Sequence, residues 1–321
     1  MSNYKDIIRV IVISFAITLL LGPILIPVLK RLKVGQSVRE EGPKTHYKKS
    51  GTPTMGGIII IAALLIATLS SGMLNRDMIV LILTTVAFGI IGFIDDFIKV
   101  VLKRSLGLKA YQKLIGQIII AVALAIYQSN NSVLGTKIIV PFFDNVFLDL
   151  GKLYIPFIVF VVLGTVNAVN FTDGLDGLAS GVTLIVLSFF SLVALNVGMN
   201  SIAIFSASLA GACLGFLKHN SYPAKVFMGD TGSLALGGAV SAIAILLNLP
   251  LIIPIVGGIY FAEIVSVMIQ VTSFKLTGKR VFLMTPIHHH FEQKGWKETK
   301  IVVTFWTLTV ILCLIGIYSL S

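Results

Sequence analysis

The chain has 321 residues, of which 56% are hydrophobic and only 12% charged, and its mean hydropathy is +0.97. A soluble domain carries about twice that charged fraction, so the soluble globular class is excluded. The net charge of +11 needs no nucleic-acid partner, because basic loops beside anionic lipid headgroups account for it.

Without a long polar insertion, residues 1–321 read as a single membrane domain, and a spanning helix needs about 20 mostly apolar residues. The first apolar segment, 8–29, is long enough, lacks a small-residue cleavage site and is followed by Lys30, Arg31 and Lys33. It reads as a span rather than a secretory signal, with the N-terminus outside. The next loop, VREEGPKTHYKKSGTPTMGG, is basic and punctuated by Gly and Pro. Its Lys48, Lys49, Thr52 and Thr54 suit a diphosphate, although each lysine taken singly fits a positive-inside loop equally well.

Segments 55–74 and 78–94 follow, and the second runs into GFIDDFIKV. Asp95 and Asp96 at a helix C-terminus oppose the macrodipole unless a cation compensates, and Lys99 lies one turn on. After segment 114–128, the stretch 129–152 contains two short β-like runs around Asp144-Asn145 and predicts a small hairpin near 137–150 on the outer face. Segment 153–169 leads into NAVNFTDGLDGL, where Asn167 and Asn170 precede Asp173 and Asp176. Gly174 and Gly177 there allow tight turns and a close approach of ligand to backbone. One aspartate would suffice to cap the following helix.

Segments 178–195, 201–217 and 231–248 come next. Asp230, in VFMGDTGS, would by itself read as a helix N-cap. Segment 251–272 carries Glu263 and Gln270, with Pro254, Gly257 and Gly258 able to bend it. PIHHHFE, at 286–292, places His288, His289 and His290 in a row; three consecutive histidines suit phosphate contacts or proton transfer better than one zinc ion. Segment 301–319 completes ten spans. Cys213 and Cys313 lie in apolar runs and read as small hydrophobes.

The charge distribution orients these spans. Loops 30–54, 95–113, 170–177, 218–230 and 273–300 fall on one side and hold 20 of the 25 Lys and Arg residues. That side is cytoplasmic by the positive-inside rule, and both termini face out. The expected fold is an all-α polytopic membrane protein with ten transmembrane helices, both termini extracytoplasmic. All three aspartate motifs sit on the cytoplasmic side, in a chain with only 14 acidic residues. Their convergence points to a divalent-metal site and to phosphoryl transfer involving a lipid phosphate. A secondary transporter would set its acids at the bilayer midplane instead.

FIDDFIKV, NAVNFTDGLDGL, VFMGDTGS and PIHHHFE closely resemble motifs of the polyprenyl-phosphate N-acetylhexosamine-1-phosphate transferases, and the resemblance covers essentially the whole chain. The three-histidine motif and GPKTHYKKSGTPTMGG resemble the bacterial phospho-N-acetylmuramoyl-pentapeptide transferase branch, with a UDP-N-acetylglucosamine transferase as the alternative. The resemblance implies Mg2+, a homodimer in the bacterial cell membrane, an active site facing the cytoplasm, and the substrates UDP-N-acetylmuramoyl-pentapeptide and undecaprenyl phosphate. It also implies residue roles. Asp95 is the base toward the lipid phosphate, supported by Asp96, and Asp230 is the metal ligand or, on an alternative proposal, a covalent nucleophile. Asp173 and Asp176 belong to the nucleotide pocket, with Asn170, Asn220 and Phe227 on the uridine side. Lys99 and Lys113 meet phosphates, and Lys49 and Thr54 bind substrate from the first loop. His289 and His290, with His288 nearby, face the sugar-phosphate, and Gln270 meets the nucleoside-sugar end.

Overall fold

The computed structural model describes residues 2–31, 49, 51–100, 107–143 and 146–320; Lys33, Lys48, Asp144 and Asn145 lie outside the described residues. Among the described residues, nine helices are long and apolar enough to cross a membrane, and a tenth apolar helix, Gly57–Ser70, has only 14 residues. In chain order the helices are α1 (Ser2–Arg31), α2 (Gly57–Ser70), α3 (Arg76–Val100), α4 (Ala110–Asn131), α5 (Tyr154–Thr172), α6 (Leu178–Asn196), α7 (Asn200–Asn220), α8 (Gly229–Leu246), α9 (Ile253–Val256), α10 (Gly258–Thr277), α11 (Ile287–Gln293) and α12 (Glu298–Tyr318). Between α4 and α5, β1 (Lys137–Ile139) pairs antiparallel with β2 (Phe147–Asp149), Lys137 opposite Asp149.

Two elements differ from expectation. Helix α3 continues to Val100, so Asp95 and Asp96 lie within its last turns rather than beyond its end. The segment read as a single helix over 251–272 is divided: a 3-10 turn at Pro250–Ile252, the short α9, a break at Gly257, then α10. Pro250 and Pro254 have no N–H to donate, and each stands in the first turn of its helical piece, where that N–H would be unpaired in any case.

Helix α8 forms the centre. Its sequence GDTGSLALGGAVSAIAIL is rich in Gly, Ala and Ser, which lets neighbouring backbones approach closely where lipid supplies no hydrophobic drive. It packs on α3, α5 and α2, while α7 packs on α1 and α6. Gly92 of α3 shows how tight this is: a Cβ there would collide with the Asp230 carbonyl. In contrast α4, α10 and α12 leave many large apolar side chains exposed, including Ile119, Phe261, Met268 and Leu314, as lipid-facing helices do.

Side-chain contacts show which helix ends meet. The C-terminal ends of α3 and α5 meet the N-terminal ends of α4 and α8 through Lys99, Asn170, Lys113 and Asp230. The opposite ends are joined by Gln128 Nε2 to Asn248 Oδ1 at 2.9 Å and by the Ile139 N–H to the Asn248 carbonyl. The strand pair belongs to this second end. There Asp149 accepts from Thr136 Oγ1 and the Gly151 N–H, and these hydrogen bonds hold its carboxyl below the usual range.

Candidate active site

The aspartates of two motifs converge at the first end. Asp96 Oδ2 accepts the Thr231 N–H at 2.9 Å and the Thr231 hydroxyl at 2.7 Å, and Asp96 Oδ1 accepts the Asp230 N–H at 3.2 Å. The α8 N-terminus is therefore capped from α3. Met228 holds the N-cap position without a side-chain bond, and Asp230 sits within the first turn. The capping role that Asp230 alone would suggest falls to Asp96. The unpaired N–H groups of a helix start favour a carboxylate there, which also answers how an acid near the end of α3 is compensated.

Asp230 is thereby free to bind other groups. Its Oδ2 accepts Lys113 Nζ at 2.6 Å and Lys99 Nζ at 3.0 Å; its Oδ1 accepts Asn170 Nδ2 at 2.8 Å. Asn170 also donates to Ser233 Oγ at 2.7 Å. Asp95 Oδ1 accepts the Leu108 N–H at 2.8 Å and so anchors the approach to α4. Among the described residues Asp95 Oδ2 is buried without an aligned hydrogen bond, although Lys99 Nζ lies 2.5 Å and Lys113 Nζ 3.4 Å away as ion pairs. Ligand oxygens of Asp95, Asp96 and Asp230 all lie within 4.8 Å of one another. An all-oxygen set suits a hard cation such as Mg2+. Asp96 is already committed to the α8 cap, so Asp230 and the poorly bonded Asp95 Oδ2 are the donors that fit one best.

Asp173 is half-buried in the turn after α5, and burial, with Asp230, Asp96 and Asp176 nearby, holds its carboxyl well above the usual range. The other end of that turn belongs to a second cluster. Asp176 Oδ1 accepts Lys49 Nζ at 2.7 Å, and its Oδ2 accepts the Ala224 N–H at 2.9 Å. Glu298 Oε1, from the start of α12, accepts Lys49 Nζ at 2.6 Å and the Asp176 N–H at 2.7 Å. Burial works to lower the lysine's pKa, but Asp176 and Glu298 together hold it above its ordinary value. Asn220 is buried beside this cluster; it accepts from Ser180 Oγ at 2.6 Å and donates to the Val226 carbonyl at 3.0 Å.

The segment after Lys49 runs alongside the approach to α8. The Phe227 N–H donates to the Pro53 carbonyl, and the Gly56 and Gly57 N–H groups donate to the Phe227 and Met228 carbonyls. Thr54 is buried there, its Oγ1 and Asp96 Oδ2 flanking Gly229. The histidines form a third cluster. His288 Nδ1 lies 3.0 Å from Glu263 Oε1 and His289 Nδ1 lies 2.6 Å from Glu292 Oε2; His290 Nδ1 accepts the Leu283 N–H at 3.2 Å. Slight burial and Lys294 nearby lower the His290 pKa. Gln270 shapes the same loop by donating to the Phe282 carbonyl at 2.9 Å and accepting the Val281 and Phe282 N–H groups.

The expected residues thus occupy one end of the bundle in three groups, linked by the 173–176 turn. Sequence reasoning did not assign Glu298, Thr231 or Ser233. Thr231 and Ser233 follow Asp230 in GDTGS, and Glu298 stands in the first turn of an apolar helix, a weak signal because acids are common there.

Residues 78–248 match the family described as glycosyl transferase family 4, and residues 49–61 match phospho-N-acetylmuramoyl-pentapeptide-transferase signature 1. A phospho-N-acetylmuramoyl-pentapeptide-transferase of Alkaliphilus metalliredigens is 65% identical over 100% of both chains. Proteins of the same name from Alkaliphilus oremlandii and Acetivibrio thermocellus are 66% and 57% identical, over 99% of this chain in each case and over 99% and 96% of theirs.

Proposed function

Because the chain belongs to the phospho-N-acetylmuramoyl-pentapeptide-transferase family, we propose that it transfers phospho-N-acetylmuramoyl-pentapeptide from its UDP derivative to undecaprenyl phosphate. The products are UMP and lipid I, an intermediate of peptidoglycan synthesis. The observation that carries this reading is the meeting of Asp95, Asp96, Asp230, Lys99, Lys113 and Asn170 at one end of an apolar bundle. Two ammonium groups over a carboxylate cluster suit a diphosphate whose head sits at a membrane surface.

In this reading an oxygen of the lipid phosphate attacks the β-phosphorus of the donor. The bond from that phosphorus to the bridging oxygen breaks, and UMP leaves with the electron pair. Asp95 takes up the proton of the lipid phosphate if it arrives protonated, and orients its oxygen. Lys99 and Lys113 hold the diphosphate oxygens as charge builds on them. Asp230, with Asp95 beside it, would hold Mg2+, which when bound neutralises diphosphate charge. Asp173, Asp176, Asn170, Asn220 and Phe227 border the nucleoside, with Phe227 able to stack on the base. Lys49 and Thr54 shape the first-loop wall. His288, His289 and His290 face the sugar-phosphate, and Gln270 orders the loop beside them.

The same reading gives ten membrane crossings with α2 as a short one, both termini outside, the strand pair on the outer face, the active site facing the cytoplasm, and a homodimer in the bacterial cell membrane. The basic residues gathered in loops at the site end support the orientation.

The test is UMP release by purified protein with undecaprenyl phosphate and Mg2+, offering UDP-N-acetylmuramoyl-pentapeptide and UDP-N-acetylglucosamine separately. Turnover of the muramoyl donor alone, lost in EDTA and restored by Mg2+, is the expected result. Turnover of the glucosamine donor alone would move the protein to another glycan pathway.

A further inference from the structure

One buried carboxylate has no part in the scheme above. Glu263 lies on α10 and is fully buried. An acid inside an apolar helix needs a partner to justify its desolvation. Its hydrogen bonds go to His288, the first histidine of the row: Oε1 lies 3.0 Å from Nδ1, and Oε2 accepts the His288 N–H at 3.4 Å. A carboxylate at Nδ1 fixes the ring's orientation and places the proton of the neutral ring on Nδ1.

The other ring nitrogen is the informative one. His288 Nε2 is buried and has no hydrogen-bond partner among the described residues. Leaving such a group unsatisfied is costly, which a purely structural histidine would avoid. Nε2 faces Gly174, where a Cβ would collide with it. Gly174 is itself partly exposed and follows Asp173 in the turn that links the site's clusters. The glycine backbone of the 173–176 turn therefore lies directly against this nitrogen.

We propose that Glu263 is a positioning residue for the transfer reaction: it clamps His288 so that Nε2, the accepting nitrogen of the neutral ring, is held for a hydroxyl of the donor's sugar that arrives over the Gly174 backbone. The inference rests on the reaction proposed above. It assigns α10 a second task besides lining the bundle, since the carboxylate it carries sets the position of α11.

Two measurements test it together. Kinetics compare wild type, Glu263→Leu, His288→Gln, the double variant and Gly174→Ala. Nitrogen-15 NMR of labelled histidine, with His288→Gln to assign the signal, reads the tautomer. Glu263→Leu, which removes the acceptor that an amide would keep, is expected to lower kcat by about 10–100-fold with a smaller change in KM, as for other residues that orient a reacting group. Added to His288→Gln it is expected to cost little more, because both act through one ring. Gly174→Ala, which fills the space before Nε2, is expected to reproduce the loss. The hydrogen-bonded Nδ1–H signal of His288 is expected in wild type and not in Glu263→Leu. A Glu263→Leu variant with wild-type kcat, or losses that multiply in the double variant, would overturn the proposal. If Glu263→Leu does not yield monodisperse protein, wild-type turnover in Gly174→Ala, or absence of the Nδ1–H signal from wild type, overturns it instead. Wild type that turns over neither donor would sink the assigned reaction, while the NMR signal would still decide whether Glu263 clamps the ring.

Discussion

Asp230 and Asp173 share one site and differ in what surrounds them. Asp230 meets two lysines and an asparagine, whereas Asp173 meets burial and other acids. Replacing Asp230 by Asn keeps the shape but removes the charge on which Lys99 and Lys113 converge. Turnover in UMP release is expected to fall by about 10³-fold or more, comparable to deleting a principal electrostatic contact. Folding is expected to persist, with monodisperse elution in detergent, because Asp95 still compensates the lysines. Asp173 behaves in the opposite sense. Its carboxyl titrates higher in the folded protein than in the unfolded chain, so its contribution to stability is greatest at acid pH and is lost as pH rises through the raised value. Asp173→Asn is therefore expected to raise the unfolding temperature of metal-free protein near neutral pH. The difference from wild type should close below about pH 4, where the aspartate is protonated in both states. An unchanged or lowered unfolding temperature at neutral pH would contradict this account.

At the level of elements, Asp96 joins two helices that the chain order keeps far apart. Its carboxylate supplies the α8 cap that no residue beside α8 provides. Asp96→Ala should destabilise the protein by about 1–2 kcal/mol, as for other lost caps, and Asp96→Asn by less, because an amide oxygen can still accept. Thermal unfolding in detergent reads both. This cap marks the limit of what the sequence discloses. Long apolar runs locate the helices because lipid enforces internal hydrogen bonding, so α5, α6, α7, α8 and α12 fall near their expected bounds, while α1 begins six residues earlier than expected. Aspartate and histidine motifs likewise pick out residues that the fold gathers at one end of the bundle. Periodicity does not tell which acid caps and which remains open to a ligand, since Asp96 and Asp230 lie 134 positions apart. The break at Gly257 was readable only as a possible bend, because Pro254 and the glycines fit either a kink or a divided helix. Glu298 resembles any acid in a first turn until its contact with Lys49 is known.

Over the whole molecule, Lys49 ties the first loop to the 173–176 turn and to α12. Lys49→Met would leave Asp176 and Glu298 facing each other without a cation. A loss of about 2 kcal/mol is expected, less than the about 3–5 kcal/mol for breaking a fully buried pair, because the lysine keeps some solvent contact. The raised lysine pKa means this stabilisation is complete at neutral pH and is lost only as pH rises through a strongly alkaline value. The difference in unfolding temperature between wild type and Lys49→Met should accordingly stay constant from about pH 6 to about pH 9; a steady decline across that range would show that the ion pairs are not its source.

The cap that α3 provides for α8 also sets a problem of timing during synthesis. Asp96 leaves the ribosome 134 residues before Asp230. At roughly 5–20 residues per second, the acid pair waits roughly 7–27 s for the helix start it will cap. During that interval an apolar segment carrying two carboxylates must be accepted by the insertion machinery, where each uncompensated acid costs about 2.5–3.5 kcal/mol at a helix centre. Lys99, one turn beyond Asp95 and paired with it in the finished fold, emerges before Lys113, the other lysine that pairs with Asp95 among the described residues. Its removal should therefore depress the yield of membrane-inserted protein more than the stability of those molecules that do complete folding.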